Sequence, residues 1–319
     1  METETAPEDE NARAEWYARL EEFGNGEGEI EFLGRHHAAI FIEETPTLLV
    51  SFESAAALRA KEEELPLGLR LADEAGWSQL TILAEGETWF RDHAVYSYFD
   101  RLVDDGFFDG FDRVVFYGAG MCGYAAAAFS VAAPGATVIA VGPQATLDPR
   151  VTEWDERFVA HRRLSFTDRY GYAPDMLEAA EHAFVLYDPE ERFDAMHAAL
   201  FTRTNVSKLR CRFLGEGLEG HLSRMGILGE MIDAACEDKL TEAVFHRLFR
   251  SRRNYGPYLR KMLIALHARH RRELSFIMCR NVVSRLRAPR FRKRMEHLTE
   301  ELEAEGRPLP LERLAPSQG

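Results

Sequence analysis

The chain predicts an α/β fold: a doubly wound, mostly parallel sheet followed by a helical C-terminal extension. Three observations carry this. Short runs of β-branched and aromatic residues alternate with 3.6-period apolar patterns between about residues 31 and 225. Several of those runs are almost wholly apolar, as strands are when helices cover both faces of a sheet. After about residue 226 the strand signals vanish and only helical periodicity remains.

Residues 1–30 hold ten acidic residues against Arg13 and Arg19, and only Trp16, Tyr17, Leu20 and Phe23 offer an apolar face. That composition predicts an acidic, frayed tail with one short helix rather than a domain. Strands are expected over residues 38–42, 48–52, 80–83, 114–117, 138–141, 184–187 and 209–214. Helices are expected over 68–75, 90–105, 121–132 and 190–200, with Gly106 as the stop of the second. Residues 31–225 therefore form the α/β domain, 226–305 a basic helical region and 306–319 a Pro-containing tail. In the helical region Val244 and Leu248, then Leu259, Leu263 and Leu266, then Leu274, Ile277 or Met278, and Val282 mark apolar faces. Residues 241–295 contain sixteen Arg or Lys and two acids, a local charge of +14 that leaves −28 for the rest.

The 319 residues are 46% hydrophobic and 29% charged, which excludes a disordered or fibrous chain. Thirty-nine basic against fifty-three acidic residues give a net charge of −14, so nucleic acid is not expected as a partner by bulk electrostatics. Cys122, Cys211, Cys236 and Cys279 are too far apart for a zinc knuckle or a redox dithiol, and a reducing cytoplasm fits them. The first ten residues are acidic where a secretory signal is basic, and no run approaches the roughly 20 apolar residues of a membrane span. No cofactor and no metal are expected: the phosphate-loop motif is missing, His36 and His37 point to opposite sides of a strand, and His267 with His270 has no third ligand nearby.

The most informative stretch is Val114-Val115-Phe116-Tyr117-Gly118-Ala119-Gly120-Met121-Cys122-Gly123-Tyr124: an apolar strand, a glycine turn, an Ala-rich helix. It also fits a bare GxGxxG dinucleotide pattern, but the next strand ends in Gly142-Pro143-Gln144 rather than in the acid such a site needs. Gly118, Gly120, Cys122 and Gly123 fall on the frame small-x-nucleophile-x-small of a nucleophile elbow, and here the sequence resembles the α/β-hydrolase superfamily. Trp89-Phe90-Arg91 before the elbow strand and Pro143-Gln144-Ala145-Thr146-Leu147-Asp148-Pro149 after the next strand look like the same family. The resemblance covers about residues 35–225.

It implies a fold of the α/β-hydrolase type and a nucleophile at position 120, but Gly120 has no side chain to attack a carbonyl. The elbow residue is strained in a way that favours glycine, so a chain released from catalysis relaxes by this substitution. Cys122 lies in the first turn of a helix, where a thiolate is favoured. Centring the motif on it, however, places Tyr124 where a small residue is required, so Cys122 reads as packing. By chain order the resemblance assigns the acid to Asp188 and the histidine to His221. Asp188, before Pro189, Glu190 and Glu191, equally reads as a helix cap. The Met121 amide remains a potential oxyanion donor, and the loop 51–54, with Glu53 and Ser54, supplies a second wall. Two functions follow. One is a binding or regulatory protein that has lost its nucleophile, with basic helices for an acidic protein surface. The other is a hydrolase or acyl-transfer enzyme using His221 and Asp188 with water or a non-standard nucleophile.

Overall fold

A single eight-stranded sheet organises the computed structural model, which describes residues 7–22, 29–60 and 65–307. Its strands are β1 (Glu29–Leu33), β2 (His37–Ile42), β3 (Thr47–Ser54), β4 (Ser78–Ala84), β5 (Arg113–Ala119), β6 (Thr137–Val141), β7 (His182–Tyr187) and β8 (Val206–Arg210). Side by side they run β1-β2-β4-β3-β5-β6-β7-β8. Only β2 is reversed; it pairs antiparallel with β1 and β4, and all pairings from β4 through β8 are parallel. Parallel neighbours cannot be joined by a tight hairpin, so the chain must cross a face between them. That is why β4 and β6 are buried along their whole length and read as apolar runs.

Helices α1 (Pro7–Glu22), α2 (Ala55–Ala60), α3 (Leu67–Ala75), α4 (His93–Asp104) and α5 (Met121–Phe129) are followed by the short α6 (Pro149–Thr152) and α7 (Ala173–Met176). Then come α8 (Arg192–Leu200), α9 (Leu218–Arg224), α10 (Ile227–Cys236) and α11 (Glu242–Leu248). The chain divides into two units, Met1–Phe245 and His246–Gly319. α10 contributes Ile227, Leu228, Met231 and Ile232 to the buried residues of the first unit, so the helical stretch begins well before the second. In the second unit α12 (Gly256–Ala268), α13 (Arg272–Arg285) and α14 (Pro289–Ala304) enclose a core of Leu259, Phe276, Met278, Cys279, Val282, Phe291, Leu298 and Leu302.

Four expectations change. The N-terminal helix is long rather than short: among the described residues α1 runs sixteen residues and buries Trp16, Tyr17 and Leu20 in a cluster with Ile40, Leu58 and Leu83. Phe23 lies outside the described residues. The edge strand β1 went unread because Glu29 and Glu31 interrupt its apolar residues, as charged residues do on strands that protect a sheet edge. The other edge strand, β8, ends at Arg210 rather than 214, and Phe213 takes a left-handed φ of 67°. α4 begins at His93 rather than 90 because Trp89 and Phe90 sit at φ 56° and 55°; Asp92 caps it by accepting the Ala94 amide at 2.8 Å.

On α13 the buried face is Ser275, Phe276, Met278, Cys279 and Val282. Of the expected stripe, Leu274 and Ile277 are 50% and 38% exposed. All four cysteines are buried. No helix among the described residues is long and apolar enough to cross a membrane.

Candidate functional site

β5 ends in a turn that only glycine can make. A Cβ on Gly118 would lie 2.1 Å from the Cys122 carbonyl oxygen, so the strand and the first turn of α5 approach to backbone contact there. Gly120 stands at φ 58° and ψ −123°, a left-handed φ that glycine tolerates, and its amide donates to the Val141 carbonyl at 2.8 Å. A Cβ at Gly120 would meet nothing within 4 Å, so open space lies where a side chain would project. Met121 opens α5, whose first amides have no acceptor within the helix.

Beside this turn lies a cavity of about 660 Å³ lined by Glu53 and Ser54 at the end of β3, Leu67 and Arg70 of α3, Met121 and Cys122 of α5, and Glu219 and Ser223 of α9. Glu53 is 8% exposed. Its Oε2 accepts the Leu67 amide at 2.8 Å, and its Oε1 accepts the Gly68 amide at 2.7 Å and the Ser51 hydroxyl at 3.2 Å. Burial pushes its pKa up to about 7 against the lowering by those two amides; the Glu219 carboxylate adds to the rise. Glu219 accepts a hydrogen bond from the buried Tyr117 hydroxyl. Burial, then Glu219 and Glu53, hold the Cys122 thiol well above its ordinary pKa, so it stays protonated. The cavity therefore joins two carboxyl groups, a neutral thiol, apolar walls and the start of a helix.

Of the residues singled out in the sequence, Glu53, Ser54, Met121 and Cys122 share this cavity, with Gly120 between Ala119 and Met121 of its lining. Asp188 and His221 are not among the lining residues. Asp188 is buried at the end of β7, where Oδ1 accepts the Glu190 amide at 2.9 Å and Oδ2 the Gly215 amide at 2.6 Å. It is not the cap of α8, whose N-cap is Glu191. His221 is half-buried on α9. Successive helical residues turn by 100°, so Glu219 and Ser223 share a face that His221 does not.

Glu219 and Tyr117 were missed. The signal for Glu219 lies two residues before His221, among Gly215, Gly217 and Gly220; Tyr117 reads as one more aromatic in an apolar strand.

The fold also forms a buried histidine–carboxylate pair that the sequence did not suggest. His197 Nε2 and Asp155 Oδ2 lie 2.9 Å apart, and His197 Nδ1 accepts the Ala145 amide at 3.1 Å. Burial lowers the His197 pKa. Burial alone would raise that of Asp155, but hydrogen bonds from His197 and Arg157 hold it below the usual carboxylate range. Both ring nitrogens are thus engaged in tying the segment after β6 to α8. His37, buried on β2, lies 2.7 Å through Nε2 from the Thr88 hydroxyl, and no cluster of three metal-ligating side chains exists among the described residues.

No family model matches the sequence, and no curated protein does either. Solved structures are similar to it. The capsule O-acetyltransferase of Neisseria meningitidis serogroup A matches 64% of this chain and 95% of its own at 8% identity, with a TM-score of 0.41. An esterase of Pyrobaculum calidifontis matches 77% and 94% at 14% identity and 0.42. The Gap123 glycosylation-associated complex of Streptococcus agalactiae matches 68% of this chain and 48% of that one at 11% identity and 0.43, so the chain spans about half of it. With its strand order, its single reversed strand and its glycine turn from β5 into α5, the first unit has a fold of the α/β-hydrolase type.

Proposed function

We propose that the first unit is a hydrolase-like binding protein that does not carry out nucleophilic acyl transfer. The observation that carries this is Gly120: at the turn where an α/β-hydrolase places its nucleophile on an elbow, the backbone conformation fits and the side chain is absent. Cys122 does not substitute for it, because its thiol is buried among carboxylates that favour the protonated form. The alternative, a hydrolase or acyl-transfer enzyme built on Asp188 and His221, needs an Asp188 oxygen to orient the imidazole. Its two oxygens accept the Glu190 and Gly215 amides, which supports a role for Asp188 in holding the loop after β7, and neither Asp188 nor His221 lines the cavity beside Gly120.

The cavity beside Gly120 is the ligand site of this reading. The amides that open α5 face an acceptor group, Glu53 and Glu219 a donor, and the leucine and methionine side chains an apolar part. The basic second unit serves an acidic protein surface. Purified protein is expected to leave short acyl esters at the buffer rate and to take no label from a serine-directed fluorophosphonate. Stoichiometric labelling of any serine, or turnover that falls about 100-fold in His221→Ala as loss of a general base predicts, overturns the reading.

A further inference from the structure

We infer that the second unit carries its own binding cavity, for a small anionic amphiphile: one oxyanion head on a short apolar body. This does not rest on the function proposed for the first unit. The cavity, of about 470 Å³, lies among the 3₁₀ turn Phe249–Asn254, α12 and α13. Arg252, Arg253 and Arg285 line it together with Leu259, Met262 and Met278.

Among the described residues none of these arginines meets a carboxylate. Arg252 donates through Nη1 to the Phe249 carbonyl at 2.5 Å and lies 4.4 Å over the Phe249 ring and 5.7 Å from that of Tyr258. Arg285 donates to the Asn254 side-chain oxygen, to the Arg253 carbonyl at 3.1 Å, and to the Asn281 Oδ1 at 3.2 Å and 3.0 Å. All of these partners are neutral, so the charges are positioned without being neutralised. Arg253 is exposed and its guanidinium has no partner among the described residues.

Elsewhere in the unit arginine is treated differently: Arg272 pairs with Glu301 and Glu305, and Arg294 with Glu301. Three uncompensated guanidinium groups at an apolar hollow present forked donors suited to a carboxylate or phosphate, with leucine and methionine left for the tail. Because Arg252 and Arg285 are already held by neutral acceptors, an incoming anion meets donors whose positions are set. A duplex phosphate backbone has no apolar tail to fill the hollow, so its chemistry fits less well than a single-chain amphiphile.

The test is calorimetric titration of the full chain with decanoate and with decyl phosphate, both kept below micelle formation, against 1-decanol as the uncharged control. Saturable one-to-one binding of at least one anion is expected, with decanol at least tenfold weaker. Arg253→Gln breaks no tie of the fold and is expected to weaken binding tenfold or more without moving the melting temperature of the unit; Arg252→Gln, which also loses the Phe249 contacts, is expected to weaken binding at least as much. Failure of both anions to bind, equal affinity for decanol, or binding unchanged in both variants, as it would be if the ligand occupied the first unit, overturns the inference. Attachment only to anionic vesicles or only to DNA overturns it too.

Discussion

Gly118 and Gly120 are glycines for different reasons, and the difference is measurable. At Gly118 the obstacle is steric: a methyl group would strike the Cys122 backbone, which cannot rotate away. At Gly120 the space is open and only the left-handed φ opposes a side chain. Gly118→Ala is therefore expected to destabilise by about 3 kcal/mol, the upper part of the range for overpacking, and Gly120→Ala by about 1 kcal/mol, the strain of that φ on an L-residue. Urea unfolding of both variants checks the order; a costlier Gly120→Ala refutes it.

Glu53 supplies a second prediction. Unfolded, it ionises near 4.5; folded, near 7. Its contribution to stability is thus fully present below pH 4.5 and is lost as pH rises through 7, a loss of about 3 kcal/mol for that gap. Glu53→Gln cannot ionise, so its stability relative to the wild type is expected to rise by about that amount between pH 4.5 and pH 8; a constant difference across that range refutes the buried, raised carboxyl. At this scale the candidate site was half legible. Met121 and Cys122 follow from a motif whose glycines encode backbone geometry, and Glu53 and Ser54 from the loop 51–54 expected as a second wall. Glu219 and Tyr117 meet only because α9 folds back over β5, and nothing local in either residue announces the other.

The elements that the sequence predicted well are those whose two faces are both buried, because burial writes an unbroken apolar run. β4, β5 and β6 fall in place to within a few residues. The edges showed less clearly, β1 not at all and β8 displaced to 209–214, since both strands are half solvated and must mix charges with apolar residues. α1 was undervalued for a similar reason: ten acids over residues 1–30 mask three large side chains at i, i+1 and i+4 that form one packing face. Trp16 is 2% exposed and its ring lies 5.5 Å from the Arg59 guanidinium, while Tyr17 donates to Glu85 at 3.1 Å, a carboxylate also held by Arg13 and Arg59. Trp16→Ala is expected to destabilise by about 3 kcal/mol, the low end for a large aromatic in a core. Tyr17→Phe, which keeps the packing and loses one hydrogen bond to a charged group, is expected to cost about 2 kcal/mol. Melting temperatures of the two variants check this, and no change in either would show that α1 does not dock.

Over the whole molecule the charge is divided unevenly. Residues 246–319 hold eighteen basic and seven acidic residues, and residues 1–245 hold twenty-one and forty-six, so the two units carry +11 and −25. A basic unit of this size invites a nucleic-acid reading, and two facts oppose it. Part of the positive charge is balanced within its own unit, where Glu301 and Glu305 of the α14 region pair with Arg272 and Arg294. The larger negative charge on the same chain repels any polyanion long enough to extend beyond the basic face. Phosphate binding by surface arginines falls steeply with salt, and at physiological ionic strength charges separated by more than about 8 Å are largely screened. Weak binding of DNA, RNA or anionic vesicles is thus expected at low salt and none near physiological salt. Reversing charge at Arg269, Arg271 and Arg272 is expected to reduce the low-salt signal. Filter binding and vesicle sedimentation at the two salt concentrations decide the matter: affinity that survives physiological salt and disappears in the triple reversal would mean that a polyanion, and not an acidic protein surface, is the partner of these helices.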